Sequence, residues 1–349
     1  MKILFVRNSR IPVKTYDDAE RVMWWLALQL HEKGHHPAFL AKKGSECAFA
    51  PTLVLDEKRP LDPQIPEDTD LVHFFDRPPA PFEGLKQPYL ITSFVNSTQP
   101  ESLDPNTVFV SASHAARHGG SVYVYPGLDF RTYGEVLLDF PRNYFHFLGD
   151  AAWQGKNVRG AIDLAARAGA RVHVIGGSRV NFRKGLRITL SPSARFHGVL
   201  NRDGRNMMLN GSKGLLFPIL THEPFALAIP ESLYFGCPVF GTPYGPLPEL
   251  LCRKTPLADG RKWTGQVDGC FSEMGLLSTK RSELVDAIRH ADSFDRDRCL
   301  QYAVDLFSAD RMAREYLQLY ERVLNGHPLH ARPPVAEEPP SSAFLPLEA

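Results

Sequence analysis

Short apolar runs alternate with amphipathic stretches along most of the chain. Residues 2–6 (KILFV) read as a buried strand. Across 18–33, Val22, Trp25, Leu26 and Leu30 recur at helical spacing, and Gly34 is placed to end that helix. Trp24 and Trp25 fall on this apolar helix and read as core. A second strand starts at His36, and apolar runs at 53–55, 71–74, 89–92, 108–110 and 122–125 continue the series. The pattern restarts near Tyr144. FHFLG reads as a strand, 156–168 as a helix, 171–176 as a strand, 203–209 as a short helix and 214–217 as a strand. Strands alternating with crossover helices predict mainly parallel sheets covered on both faces. The restart predicts a second doubly wound unit, with a linker around 130–142.

The chain therefore reads as α/β, with a first domain over 1–135 and a second over 136–308. A helix over 309–325 follows, and then a tail over 326–349 rich in Pro, Ser and Glu that composition marks as disordered. The length of 349 residues fits about two domains. Forty basic and 39 acidic side chains leave a formal charge of +1, which argues against bulk electrostatic capture of nucleic acid. No apolar run is long enough for a membrane span. The N-terminus is too short in its apolar part for a signal peptide. Five scattered cysteines, with no C-x-x-C pair, read as free thiols in a reducing cytosol. No metal-ligand spacing or P-loop appears.

One stretch, 222–251 (HEPFALAIPESLYFGCPVFGTPYGPLPELL), concentrates the chemistry. It holds Glu223 and Glu231, then Gly236 and Pro238 to close a helix, a short apolar strand, and a turn over Gly245–Glu249. Eight residues of helix rise about 12 Å, so the two carboxylates suit two ends of one extended ligand rather than a single atom. A helix starting near Ala226 or Leu227 would place Pro230 in its first turn, where a missing N–H is harmless. The N–H groups of Ala226 and Leu227 would then favour a phosphate.

Glu223-Pro224-Phe225-Ala226-Leu227, Glu231, Gly236-Cys237-Pro238-Val239 and Gly245-Pro246-Leu247-Pro248-Glu249 closely resemble, in order, the donor motif of family 4 glycosyltransferases of the GT-B fold. The resemblance spans the chain to about residue 325 and is stronger in the second half. It implies two doubly wound Rossmann-like domains facing across a cleft. The first would take the acceptor and the second the nucleotide-sugar, with the helix at 309–325 returning to the first domain. Glu223 would hold sugar hydroxyls and Glu231 the ribose. Lys156 would face the diphosphate, and Gly198-Val199-Leu200 would border the base. The implied activity is retaining, metal-independent transfer of a hexose-type sugar, with the nucleotide-sugar as substrate and no cofactor. The acceptor would be a glycan or lipid-linked molecule in lipopolysaccharide, capsule or other surface polysaccharide synthesis. The place would be the cytoplasm, with peripheral contact at the inner face of a membrane and no nucleic acid partner.

Four residues at three places depart from the family. Asp150 stands where an arginine faces the diphosphate. Asp17 and Asp18 replace a Gly-Gly loop, where backbone would approach the phosphates. Phe94 replaces a histidine often found beside the donor sugar. Arg179, Arg183, Lys184 and Arg187 are candidate replacements for the missing cation; Trp153 and His222 are candidates to line the cleft. These departures motivate an alternative: a non-catalytic GT-B protein that binds a nucleotide-sugar or a partner. A GT-B epimerase is disfavoured, because its catalytic acids and histidine are not recognisable.

Overall fold

The computed structural model describes residues 1–12, 18–78, 82, 85–181, 187–252, 269–337 and 344–348. Asp17, Arg183 and Lys184 lie outside the described residues. The chain forms two compact units, Met1–Asp129 with Phe307–Pro340, and Phe130–Leu306 with Ser341–Ala349. The stretch read as a linker at 130–142 thus belongs to the second unit, where Tyr133 is fully buried.

In the first unit the order is β1 (Lys2–Arg7), α1 (Asp18–Glu32), β2 (His36–Ala41), β3 (Thr52–Val54), β4 (Leu71–Phe75), β5 (Tyr89–Thr92), β6 (Glu101–Ser102), β7 (Thr107–Val108) and α2 (Ala112–Arg117). Its six-stranded sheet runs β3-β2-β1-β4-β5-β7, parallel throughout. Both faces are covered, so β4 (LVHFF) is buried at every position. Leu4, Val6, Leu40, Val72, Phe74 and Ile91 form the core of one face. On the other, α1 packs against α9 (Ala309–Leu324). From α9, Tyr320 bonds His73 Nδ1 (2.8 Å) and Tyr316 bonds Thr92 (2.8 Å), while Thr92 also meets His73 Nε2 (2.7 Å).

The second unit repeats the winding. It contains β8 (Tyr144–Leu148), α3 (Val158–Arg167), β9 (Val172–Ile175), β10 (Val180–Asn181), β11 (Arg187–Ile188), β12 (Ala194–Phe196), α4 (Arg202–Asn210), β13 (Ser212–Phe217), α5 (Ala228–Tyr234), β14 (Val239–Gly241), α6 (Leu247–Leu251), β15 (Gly269–Ser272), β16 (Gly275–Ser278), α7 (Arg281–Arg289) and α8 (Arg296–Phe307). The sheet order is β12-β9-β8-β13-β14-β16-β15, parallel except for the edge strand β15. Phe145, Phe147, Leu216 and Phe240 point to a core shared with α3 and α7. On the opposite face His146 bonds Ser212 Oγ (2.6 Å) and, on α5, Ser232 Oγ (2.8 Å). The six parallel strands of each sheet share one order. The chain reverses direction across the sheet between β1 and β4, and again between β8 and β13.

Two expectations from composition fail. The tail over 326–349 is not wholly disordered: Leu329 and His330 are buried, and β17 (Val335–Ala336) pairs with β6. Residues 344–348 bond to the second unit. Prolines and charges dominated the composition, but a few apolar anchors suffice to dock each piece. The cysteines are not all free thiols either. Cys252 and Cys270 form a disulfide, leaving Cys47, Cys237 and Cys299. Scattered spacing hid this pair because β15 brings Cys270 back beside the end of α6.

Candidate functional site

The site builds up where β8 and β13 lie side by side. In a doubly wound sheet, the crevice outside the carboxyl ends at such a reversal is where ligands bind. After β8 the chain makes a 3₁₀ turn over Gln154–Lys156. Asn157 then takes a left-handed conformation (φ 53°) and caps α3, its Oδ1 accepting from Gly160 N at 3.0 Å. Asn157 Nδ2 also donates to Pro218 O (2.9 Å), and Leu220 N donates to Gly155 O (2.8 Å). The loops leaving β8 and β13 are therefore stitched together by backbone and amide bonds.

Lys156 and Glu223 meet on that scaffold. Lys156 Nζ donates to Glu223 Oε2 in an ion pair, with the carboxylate only 3% exposed. The ammonium also lies 5.4 Å from the Trp153 ring and 5.2 Å from Phe217, within cation–π range. Burial raises the Glu223 carboxyl above its ordinary range; the Coulombic pull and hydrogen bond of Lys156 oppose the rise without cancelling it. Glu223 is thus a buried acid whose charge is supported by the Lys156 ammonium.

Gly245 closes the site from β14. Its φ of 59° is left-handed, and an added Cβ would stand 2.9 Å from Glu223 N and 3.0 Å from Glu223 O. Only glycine allows this approach. Gly245 N also donates to His222 Nδ1 (3.1 Å). That bond places the His222 ring proton on Nε2.

Glu231 belongs to a different cluster. On α5 its Oε1 accepts from Tyr133 OH (2.7 Å) and Arg205 Nη1 (2.9 Å), with acid and base both buried. The guanidinium lies 5.0 Å from the Tyr133 ring, and Asn206 donates to Tyr133 O. α5 begins at Ala228, one or two residues later than the sequence suggests, and runs for seven residues. Ala226 and Leu227 precede it and are buried. Sequence reasoning missed Tyr133 and Arg205. The available signal was a tyrosine and an arginine placed among residues otherwise suited to a loop and a polar helix.

The other candidates scatter. Asp150 is exposed and caps its own turn, accepting from Ala152 N at 2.9 Å. Among the described residues it makes no ion pair with the lysines and arginines around it. Trp153 is 40% exposed. Gly198, left-handed at φ 68°, and the exposed Val199 lead through Leu200 into α4, whose cap is Asn201. The Arg179 guanidinium donates to Thr189 O, Ser191 O and Ala194 O, bracing its own loop. In the first unit, Asp18 opens α1 and pairs with Arg21 (3.8 Å). Phe94 stacks on Phe75 at 5.9 Å, and its N–H donates to Asp76 Oδ1 (3.1 Å). Asp76 follows β4, is left-handed at φ 72°, and pairs with Arg7 from the end of β1. This ion pair at the first unit's reversal point was also missed, although a charge directly after a buried strand was its signal.

Among the described residues no group of three or more His, Cys, Asp or Glu is placed to hold a metal ion. No helix there is long and apolar enough to cross a membrane.

No protein-family model matches the chain, and no curated protein matches its sequence. Solved structures do match. AviGT4, a glycosyltransferase involved in avilamycin A biosynthesis, is 18% identical with a TM-score of 0.68, over 93% of this chain and 98% of its own. Sucrose-phosphate synthase from Thermosynechococcus elongatus is 14% identical with a TM-score of 0.64, over 93% and 99%. Anabaena HepE, solved in complex with UDP-glucose, is 15% identical with a TM-score of 0.59, over 93% and 100%. At these identities the likeness establishes architecture, and it agrees with two doubly wound sheets of the same strand order: the chain has the GT-B fold.

Proposed function

We propose that this protein is a glycosyltransferase of family 4 type. It would take a hexose-type sugar from a nucleotide-diphosphate sugar and pass it, with retention, to a glycan or lipid-linked acceptor. The observation that supports this most is the Lys156–Glu223 pair at the reversal point of the second sheet. A diphosphate arriving beside Lys156 would draw the ammonium toward its own charge. Glu223 would then be released to accept hydrogen bonds from sugar hydroxyls. In the transition state negative charge grows on the leaving diphosphate, so a cation already held at that spot lowers the barrier. The leaving phosphate would accept the acceptor's proton, and the step needs no metal and no protein nucleophile. Glu231 would serve the ribose from its buried cluster, and the segment Gly198–Leu200 would border the base. A surface-polysaccharide role, at the cytoplasmic face of a membrane, follows the same resemblance.

A second reading, a non-catalytic protein that binds a nucleotide-sugar, is favoured by one observation: Asp150, at the expected arginine position, caps its own turn. One experiment separates the two. Nucleotide release is measured from UDP-, GDP-, ADP- and TDP-sugars, with and without candidate glycan acceptors, for wild type and Glu223→Gln. Release that Glu223→Gln abolishes supports the enzyme. Donor binding with no release under any acceptor supports the binder, and no binding of any donor refutes both.

A further inference from the structure

The last described residues, 344–348, cross the carboxyl ends of three neighbouring strands of the second sheet. Leu345 N donates to Leu220 O (2.9 Å) in the loop after β13. Tyr244 OH, in the loop after β14, donates to Pro346 O. Glu348 N donates to Thr279 O (2.7 Å) after β16, and Glu348 O accepts from Arg281 N (3.3 Å). Leu347 packs on the apolar core shared with α3 and α7. That face is opposite to the one carrying α5 and Glu231.

The two loops it grips are those that form the candidate donor site. Leu220 lies three residues before Glu223, and Tyr244 directly precedes Gly245, which touches the Glu223 backbone. A chain that bonds to both loops fixes them against each other. A chain anchored behind the sheet does this without covering α5. We propose that the C-terminal segment 344–348 is a positioning strap, which holds the loops of Glu223 and Gly245 in register so that the carboxylate is aimed before the donor arrives. The proposal rests on the donor-site reading above. It assigns work to a segment whose composition alone reads as disordered tail.

The strap is tested in the full chain with Leu347→Asp, which sets a charge against the apolar core, and with the conservative Leu347→Met. Amide hydrogen exchange is followed without ligand in 220–223 and 244–245, and KM and kcat are measured with the four nucleotide-sugars. Leu347→Asp is expected to speed exchange in both loops and to raise the donor KM about 3- to 10-fold, the scale of one lost hydrogen bond, with kcat less affected. Leu347→Met is expected to leave both unchanged. Should Leu347→Asp fail to fold, Tyr244→Phe removes a single hydroxyl from the same contact and reads the same two quantities. Unchanged exchange in the loops overturns the strap. So does a lower KM, which would make the segment a plug. A wild-type protein that binds a donor, with the variant showing the same KM, overturns the strap while sparing the donor reading. A wild type that binds none of the donors overturns both, even if exchange responds.

Discussion

Arg205→Met tests whether the Glu231 cluster holds the second unit together. The substitution keeps an unbranched apolar side chain but removes the guanidinium that faces Glu231 Oε1 at 2.9 Å. Side-chain exposure is 4% for Arg205 and 3% for Glu231, so solvent cannot replace the lost partner. Removing one member of such a buried pair costs about 3–5 kcal/mol, because the remaining charge stays desolvated. For a unit of this size that is roughly 6–20 °C of melting temperature. Replacing both members with apolar side chains is often close to neutral. Arg205→Met/Glu231→Met is therefore expected to recover most of what the single variant loses. The assay is urea unfolding of the wild type, the two singles and the double, read as a double-mutant cycle. A single-variant loss below about 1 kcal/mol, or a double variant that loses the sum of the singles, would refute the reasoning. Nucleotide-sugar affinity measured on the same four proteins separates the ribose role from the structural one. If Glu231 serves structure alone, the folded double variant binds the donor as wild type does.

Lys156→Ala should lower kcat for donor turnover by about 10²–10³-fold, the scale of one lost charge-stabilising donor, and added acceptor should not restore it. Burial pushes the His146 imidazole down to about 3, so its neutral form stabilises the fold fully above its ordinary value of 6.5, and the contribution is lost as pH falls toward 3. Between pH 6.5 and 5 that is about 2 kcal/mol; His146→Gln, which takes up no proton there, should show a shallower loss in urea titrations, and equal slopes would sink the idea. Gly275→Ala should destabilise the second unit by about 1–3 kcal/mol from its left-handed φ of 141°, with more from overlap of the new Cβ with the Val239 carbonyl. Thermal melting checks it, and a wild-type midpoint would count against the β14–β16 register. Thiol titration in denaturant should find three thiols before reduction and five after, and reduction should cost about 3 kcal/mol for a closed loop of this length.

How far the sequence could be read follows from where each interaction lies along the chain. Strands such as β4 and β13 were legible because a sheet covered on both faces demands mainly apolar positions, as in LVHFF and the GLLF of β13. Lys156 and Glu223 were legible through the donor motif they resemble; that they meet follows from the fold, because adjacent parallel strands β8 and β13 bring their loops together. The tail was not legible: Leu329, Leu345 and Leu347 are scattered apolar residues in a segment rich in proline and polar residues, and each docks on a surface made elsewhere. The Cys252–Cys270 bond depends on the return of β15, 18 residues on. Glu231 marks the limit most clearly. Its spacing from Glu223 suggested two handles about 12 Å apart, a figure that holds only for a continuous helix. Residues 223–227 lie outside α5, so the spacing fixes no distance. Glu231's surroundings come instead from Tyr133, 98 residues earlier, and Arg205, 26 residues earlier. A motif can thus name a carboxylate correctly while partners outside it decide how much of that carboxylate is left for a ligand. That is why the Arg205 cycle, rather than a Glu231 substitution alone, is the experiment that assigns its role.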